Sequence, residues 1–259
     1  MTKHSIIRLL FVAALLSLLG LLLFSRDSAI YYVWFALIVL IYIIVIAIGS
    51  YFIQLDFYMH SFCSGDSSKP YIAITFDDGP KAATAEILDI LKRENAPATF
   101  FCIGTNIAGN EDILKRIDNE GHLIGTHSFN HHWSFPLQSK SKIVAEITQC
   151  QNEVASIIHK KPILFRPPFG VTDPPLAAAI RSTGVKSIGW SVRSYDTVIS
   201  SPDKLLKRVS KIKSGDIILF HDAGLQTKVI LHMFIKYVRE KGLEIVPLDQ
   251  LLGINAYET

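Results

Sequence analysis

Tyr71-Ile72-Ala73-Ile74-Thr75-Phe76-Asp77-Asp78-Gly79-Pro80 is the stretch whose reading decides the fold. An apolar run of strand length ends on two carboxylates and a Gly-Pro turn signal. The same grammar recurs downstream. His127-Ser128-Phe129-Asn130-His131 follows a strand-like run near 122–126, and Arg166-Pro167-Pro168-Phe169-Gly170 follows one near 163–166. Trp190 to Asp196 closes a run near 185–192, and Leu219-Phe220-His221-Asp222 ends one near 215–220. Further strand-like runs lie near 98–103 and 243–246. Helical patterns fill the gaps, near 82–95, 107–120, 140–160, 174–183, 202–213 and 226–241. In 140–160, Ile143, Ile147, Val154, Ile157 and Ile158 are spaced for one apolar face. Gly121, Gly184 and Gly242 stand where helices should end. Alternating units of this kind imply a mainly parallel sheet, open or closed into a barrel. In either case chemistry gathers at the C-terminal strand ends, where all five motifs stand.

Ahead of this α/β region lie two apolar runs. Between Leu9 and Phe24 the only polar residue is Ser17, and Ile30 to Ile48 carries no charge. About 20 apolar residues span a bilayer as helix, so the two predict a transmembrane hairpin, about 6–24 and 30–52. No small-residue cleavage pattern follows Phe24, which argues against a cleaved signal peptide. Tyr31, Tyr32, Trp34, Tyr51 and Phe52 read as interface anchors. The expected division is a membrane anchor over 1–63, a polar linker over 64–70 and a catalytic domain over 71–255.

Two spans put both ends of the chain on one side. Lys3 and Arg8 favour a cytoplasmic N-terminus and Arg26 pulls the other way, a weak vote for a cytoplasmic domain. The formal net charge of +3 over 259 residues is too mild to imply nucleic acid. Cys63, Cys102 and Cys150 lack metal-like spacing, and their odd number argues against a disulfide framework.

His127 and His131 are four apart, so on a helical turn both point the same way; taken alone, such a pair is more often a surface feature. Asp77-Asp78 is more telling. Neighbours at a strand end point in different directions, so one can bind metal while the other reaches water. Turn chemistry does not require two acids at a buried strand end. Asp78, His127 and His131 together form a two-histidine, one-carboxylate set suited to one divalent ion, zinc first. Arg166, between an apolar strand and two prolines, predicts a carboxylate partner. His221, ending a buried run, is either a satisfied core histidine or a general acid near neutral pH.

Over about residues 66–255 these motifs jointly resemble the polysaccharide deacetylases, the NodB-like carbohydrate esterase family 4. The resemblance implies a distorted (β/α)7-type barrel and these roles: Asp77 as general base, Asp78, His127 and His131 as metal ligands, Arg166 holding the base, and His221 as general acid. It also implies an oxyanion contact from the Phe169 backbone and an acetyl-pocket wall at Leu219, beside Pro168. The fourth motif departs from the family's usual Asp-x-x-Asp-Trp: residues 193–197 read Arg-Ser-Tyr-Asp-Thr. Asp196 is left as the acid that tunes His221, and Arg193 nearby would lower that histidine's pKa. Tyr195, Trp133 or Trp190 would replace the missing Trp by stacking on sugar, with core packing the competing reading for Trp190.

The function implied is N-deacetylation of an N-acetylated glycan, such as peptidoglycan or a chitin-like polymer, by a two-pass membrane enzyme. A cell-wall polymer would place the domain outside the cytoplasmic membrane, against the charge vote. Two alternatives stand beside it: deacylation of a lipid-linked sugar, and a glycan-binding protein with an inactive site.

Overall fold

The structure, a computed structural model, describes residues 2–24 and 29–258. The connection carrying Arg26, on which the charge vote partly rests, lies outside the described residues. Helices α1 (Lys3–Phe24) and α2 (Ala29–Tyr51) are long and apolar enough to cross a membrane. Phe11 and Tyr42 stack between them, with ring centroids 3.9 Å apart. Their remaining apolar side chains are largely exposed.

After them the chain alternates as expected: β1 (Tyr71–Gly79), α3 (Ala82–Glu94), β2 (Thr99–Cys102), α4 (Glu111–Asn119), β3 (Leu123–Thr126), α5 (Lys140–Ile158), β4 (Leu164–Phe165), α6 (Pro174–Thr183) and β5 (Lys186–Ser187). Then follow β6 (Val192–Arg193), α7 (Pro202–Val209), β7 (Ile217–His221), α8 (Leu225–Glu240), β8 (Glu244–Ile245) and α9 (Leu248–Leu252). Strand order is β5-β4-β3-β2-β1-β7-β6, with β8 added to the start of β1, and every pairing is parallel. The sheet curls into a half-barrel with helices outside. Gly121, Gly184 and Gly242 do end helices, all with φ between 73° and 81°.

One expectation needs correction. The single strand read at 185–192 is two short strands at opposite edges of the sheet: β5 pairs with β4, and β6 with β7. Gly189-Trp190-Ser191 crosses the gap, so the two edges are joined by the covalent chain instead of a ladder. The segment between α2 and β1 fills the space alongside. Phe62 bridges to Ile188 and Ser64 to Asp216.

Period-two alternation decides what faces the barrel interior. Ile72, Ile74 and Phe76 of β1, with Ile218 and Phe220 of β7, are buried against the outer helices. Phe76 stacks on Phe100 and Phe220, with centroids at 5.1 and 5.9 Å. Thr75, Asp77, Leu219 and His221 therefore share the inner face, and Asp77 is in register with His221.

The end of α2 is packed into this domain. A 3₁₀ turn, Ile53–Leu55, follows it. Ile53 is buried with Trp190 and Leu219, and Gln54 Nε2 donates to the Trp190 carbonyl at 3.0 Å. Thr172 N–H donates to the Ser50 carbonyl at 3.0 Å. Residues 53–64 thus lie on the barrel wall.

Candidate active site

Asp77 and Asp78 end β1 at an irregularity. Asp77 is in register with Phe101 and Gly79 with the next residue, Cys102, so Asp78 is the extra residue of a bulge, at φ 76°. A bulge re-aims a side chain. Contrary to the expectation that the two carboxylates diverge, Asp77 Oδ2 and Asp78 Oδ1 both lie 3.8 Å from His127 Nε2.

The two histidines also converge by a different route from the one expected. Residues 127–131 form a loop, with Ser128 at φ 64° and His131 at φ 49°. Glu146 of α5 holds that loop: its carboxylate accepts from the N–H groups of Phe129 (2.9 Å) and Asn130 (2.8 Å) and from the Asn130 amide (2.7 Å). The imidazole centroids end 4.7 Å apart. His127 Nδ1 donates to the Arg166 carbonyl at 2.7 Å, which leaves the lone pair on Nε2, facing Asp78. His131 Nε2 lies 3.8 Å from Asp78 Oδ1. Burial, reinforced by His127, pushes the His131 pKa down to about 4, so its ring is neutral at pH 7.

One ligand atom from each of Asp78, His127 and His131 falls within 4.8 Å of the others. A four-coordinate zinc ion with bonds of about 2.0–2.1 Å needs donors roughly 3.3 Å apart, so a small inward movement completes the set. Two imidazoles and one carboxylate, with open positions on the cavity side, fit a divalent ion.

Arg166 is fully buried in the barrel interior. Its Nη1 donates to Asp77 Oδ1 at 2.7 Å and to Thr75 Oγ1 at 2.8 Å. Nη2 donates to the Gly189 carbonyl at 2.8 Å, and Nε to that of Ile188 at 3.3 Å. The guanidinium also lies 4.1 Å from the Phe101 centroid. Asp77 is thereby fixed by one oxygen, with the other turned to the histidines.

On the far side, His221 Nδ1 lies 2.8 Å from Asp196 Oδ1, and the His221 N–H donates to Oδ2 at 2.7 Å. Ser194 and Thr227 hydroxyls add to the same carboxylate. Burial raises the Asp196 pKa, but these donors outweigh it and hold the group below the usual carboxylate range. Burial likewise lowers the His221 pKa, and Asp196 more than offsets it, so the net shift is upward. The lowering expected from Arg193 is not found: Arg193 has turned to aromatic rings, 5.5 Å from the Trp190 centroid and 5.0 Å from that of Tyr195. Asp222 is buried behind the site, accepting from Thr84 Oγ1; burial raises its pKa to about 6.

These groups line a cavity of about 230 Å³, with Phe169, Trp190, Arg193, Thr197 and Leu219 among its walls. Phe169 has φ 62° and is 43% exposed, its ring 4.9 Å from that of His131. Trp133, Tyr195 and Pro168 do not line the cavity. Trp133 is exposed on the loop beyond His131, Pro168 is buried behind Phe169, and the Tyr195 ring is taken up by the guanidinium groups of Arg193 and Arg208. Trp190 is packed in the core with Ile53 and Leu219, at 7% exposure, and also forms part of the cavity wall. Glu146 and Thr227 were missed, because a helical Glu or Thr carries no local sign of reaching a distant loop.

A polysaccharide deacetylase family model matches residues 64–188. A peptidoglycan-N-acetylglucosamine deacetylase of Bacillus cereus is 33% identical over 193 residues, 72% of this chain and 90% of the relative. The peptidoglycan-N-acetylglucosamine deacetylase PgdA of Listeria monocytogenes is 34% identical over 184 residues; these cover 70% of this chain and 39% of PgdA. The chain thus spans well under half the length of that relative. The crystal structure of the Bc1960 peptidoglycan N-acetylglucosamine deacetylase superposes with a TM-score of 0.72 at 29% identity, covering 76% of this chain and 94% of that one. Sequence and fold agree, and the chain belongs to the polysaccharide deacetylase family.

Proposed function

We propose that this protein is a metal-dependent N-deacetylase of an N-acetylated glycan, peptidoglycan or a chitin-like polymer, held in the membrane by α1 and α2. The observation that carries this reading is the convergence of Asp78, His127 and His131 within 4.8 Å, flanked by Asp77 on Arg166 and His221 on Asp196. A divalent ion held by the first three, zinc by donor preference, supplies Lewis-acid polarisation of the amide carbonyl and of the attacking water. Asp77, oriented by Arg166, takes a proton from that water as it adds to the acetyl carbon. The Phe169 backbone, turned to φ 62° at the cavity mouth, contributes to the developing oxyanion. His221, positioned by Asp196 and with its pKa raised by that carboxylate, gives its Nε2 proton to the departing nitrogen, so the C–N bond breaks to acetate and a free amine. Leu219 walls the acetyl pocket. The reading places the domain outside the cytoplasmic membrane, where such polymers lie.

A second reading, deacylation of a lipid-linked sugar, is favoured by the packing of Ile53, at the end of α2, against Trp190 and Leu219. It sets the cavity wall one short turn from the membrane helix.

The test is acetate release by the full-length protein in detergent, on N-acetylglucosamine oligomers, with zinc or with chelator, and with Asp77→Asn alongside. Release that needs metal and falls by about a hundred- to ten-thousand-fold in Asp77→Asn is expected. Metal-loaded protein that releases acetate only from a lipid-linked sugar moves the assignment to the second reading. Protein that binds glycan and no metal overturns both in favour of an inactive binding module.

A further inference from the structure

Arg193 is the last residue of β6, in register with Leu219. Paired residues of parallel strands share a face, so Arg193 points, like Leu219, to the cavity it helps to line. It is half-buried and lines the cavity, and among the described residues no carboxylate lies within 4.0 Å of it. Two aromatic rings hold the guanidinium in place without neutralising it. The support behind it is fixed: Arg208 Nε donates to the Arg193 carbonyl at 2.7 Å, and the Arg208 guanidinium lies 4.3 Å from the centroid of Tyr195, which sits at φ 59°. The two acids that line the cavity are engaged, Asp77 by Arg166 and Asp78 by the imidazoles. A positioned guanidinium of this kind suits a carboxylate or phosphate, whose planar or tetrahedral oxygens it meets with two parallel donors.

We propose that Arg193 binds an anionic substituent, carboxylate or phosphate, carried by the substrate close to the acetamido group, and so makes the cavity selective for anionic glycans. This rests on the deacetylase reading for its place in the reaction, but not for the binding preference itself. The experiment uses full-length protein in detergent and three probes of equal length. They are a neutral N-acetylglucosamine oligomer, one with 3-O-lactyl carboxylates on alternate sugars, and one with a terminal phosphomonoester. Kd is measured on metal-free protein and kcat/KM on zinc-loaded protein. One anionic probe is expected to be favoured over the neutral one by about tenfold or more. Which probe wins identifies the source of the charge. The preference should approach unity in Arg193→Gln and survive in part in Arg193→Lys. Equal affinity of the unaltered protein for all three probes, or an unchanged preference in a folded Arg193→Gln protein, overturns the proposal. If Arg193→Gln does not fold, salt decides: an electrostatic preference falls as ionic strength rises, and a salt-independent one refutes it. Anionic preference in binding without acetate release from any probe keeps this proposal and removes the deacetylase reading. Equal hydrolysis and binding of all three does the reverse.

Discussion

Asp196 grips His221 twice, accepting from its ring at 2.8 Å and from its backbone N–H at 2.7 Å. The carboxylate therefore sets the position of the imidazole as well as its charge. The ring's folded pKa lies above its ordinary value, so the stabilisation is fully present below the unfolded pKa and is lost as pH rises through the folded one. The acid form needed to protonate a leaving amine is lost over that same upper range. Asp196→Asn should move the alkaline limb of kcat/KM to lower pH, where a merely structural loss would depress the whole profile. A pH–rate profile of the two proteins checks it.

Arg166 has an Asp77 oxygen, a threonine hydroxyl and two carbonyls as acceptors, and it is fully buried. Arg166→Met leaves a buried carboxylate without its counter-charge. Such losses cost about 3–5 kcal/mol. Denaturant unfolding should show a destabilisation of that order, together with loss of acetate release.

Removing one of three donors should separate metal affinity from folding. Asp78→Asn or His131→Ala is expected to lower zinc affinity by about a hundredfold or more, beyond the usual effect of an outer partner. Competition with a chromophoric chelator measures it, and an unchanged far-ultraviolet circular dichroism spectrum confirms the fold. Zinc affinity equal to that of the unaltered protein would remove these residues from the metal site.

Gly170 sits at φ 70°, and a Cβ there would run into the Trp190 ring. Gly170→Ala should displace the cavity wall and strain the backbone by about 1–3 kcal/mol. The expected result is a lower kcat/KM with metal affinity retained, read by parallel kinetics and zinc titration.

Much of this was legible from strand grammar. Period-two alternation in Tyr71 to Asp77 and in Ile217 to His221 places Asp77 and His221 on one face, and parallel pairing brings them into register. What escaped has a common physical cause, in that backbone irregularity carries little local signature. The bulge at Asp78 and the left-handed residues Ser128 and His131 reverse the directions that regular geometry assigns. The split at Gly189 to Ser191 was hidden because an apolar run reads as one strand whether or not it changes edge. Ile53 was read with the membrane segment because an apolar residue looks the same whether lipid or Trp190 covers it.

That last contact governs reach. A domain on a flexible tether sweeps a volume set by tether length. Here residues 53–64 are laid on the barrel, and the polar stretch 64–70 comes after that attachment, so its length adds nothing to the span. With α2 in a bilayer, the catalytic centre stands at a fixed height, like a tool clamped to a bench. On the proposed function it would work on glycan strands as they emerge beside the membrane and would leave older, outer layers untouched, so the modification would record when a strand was made.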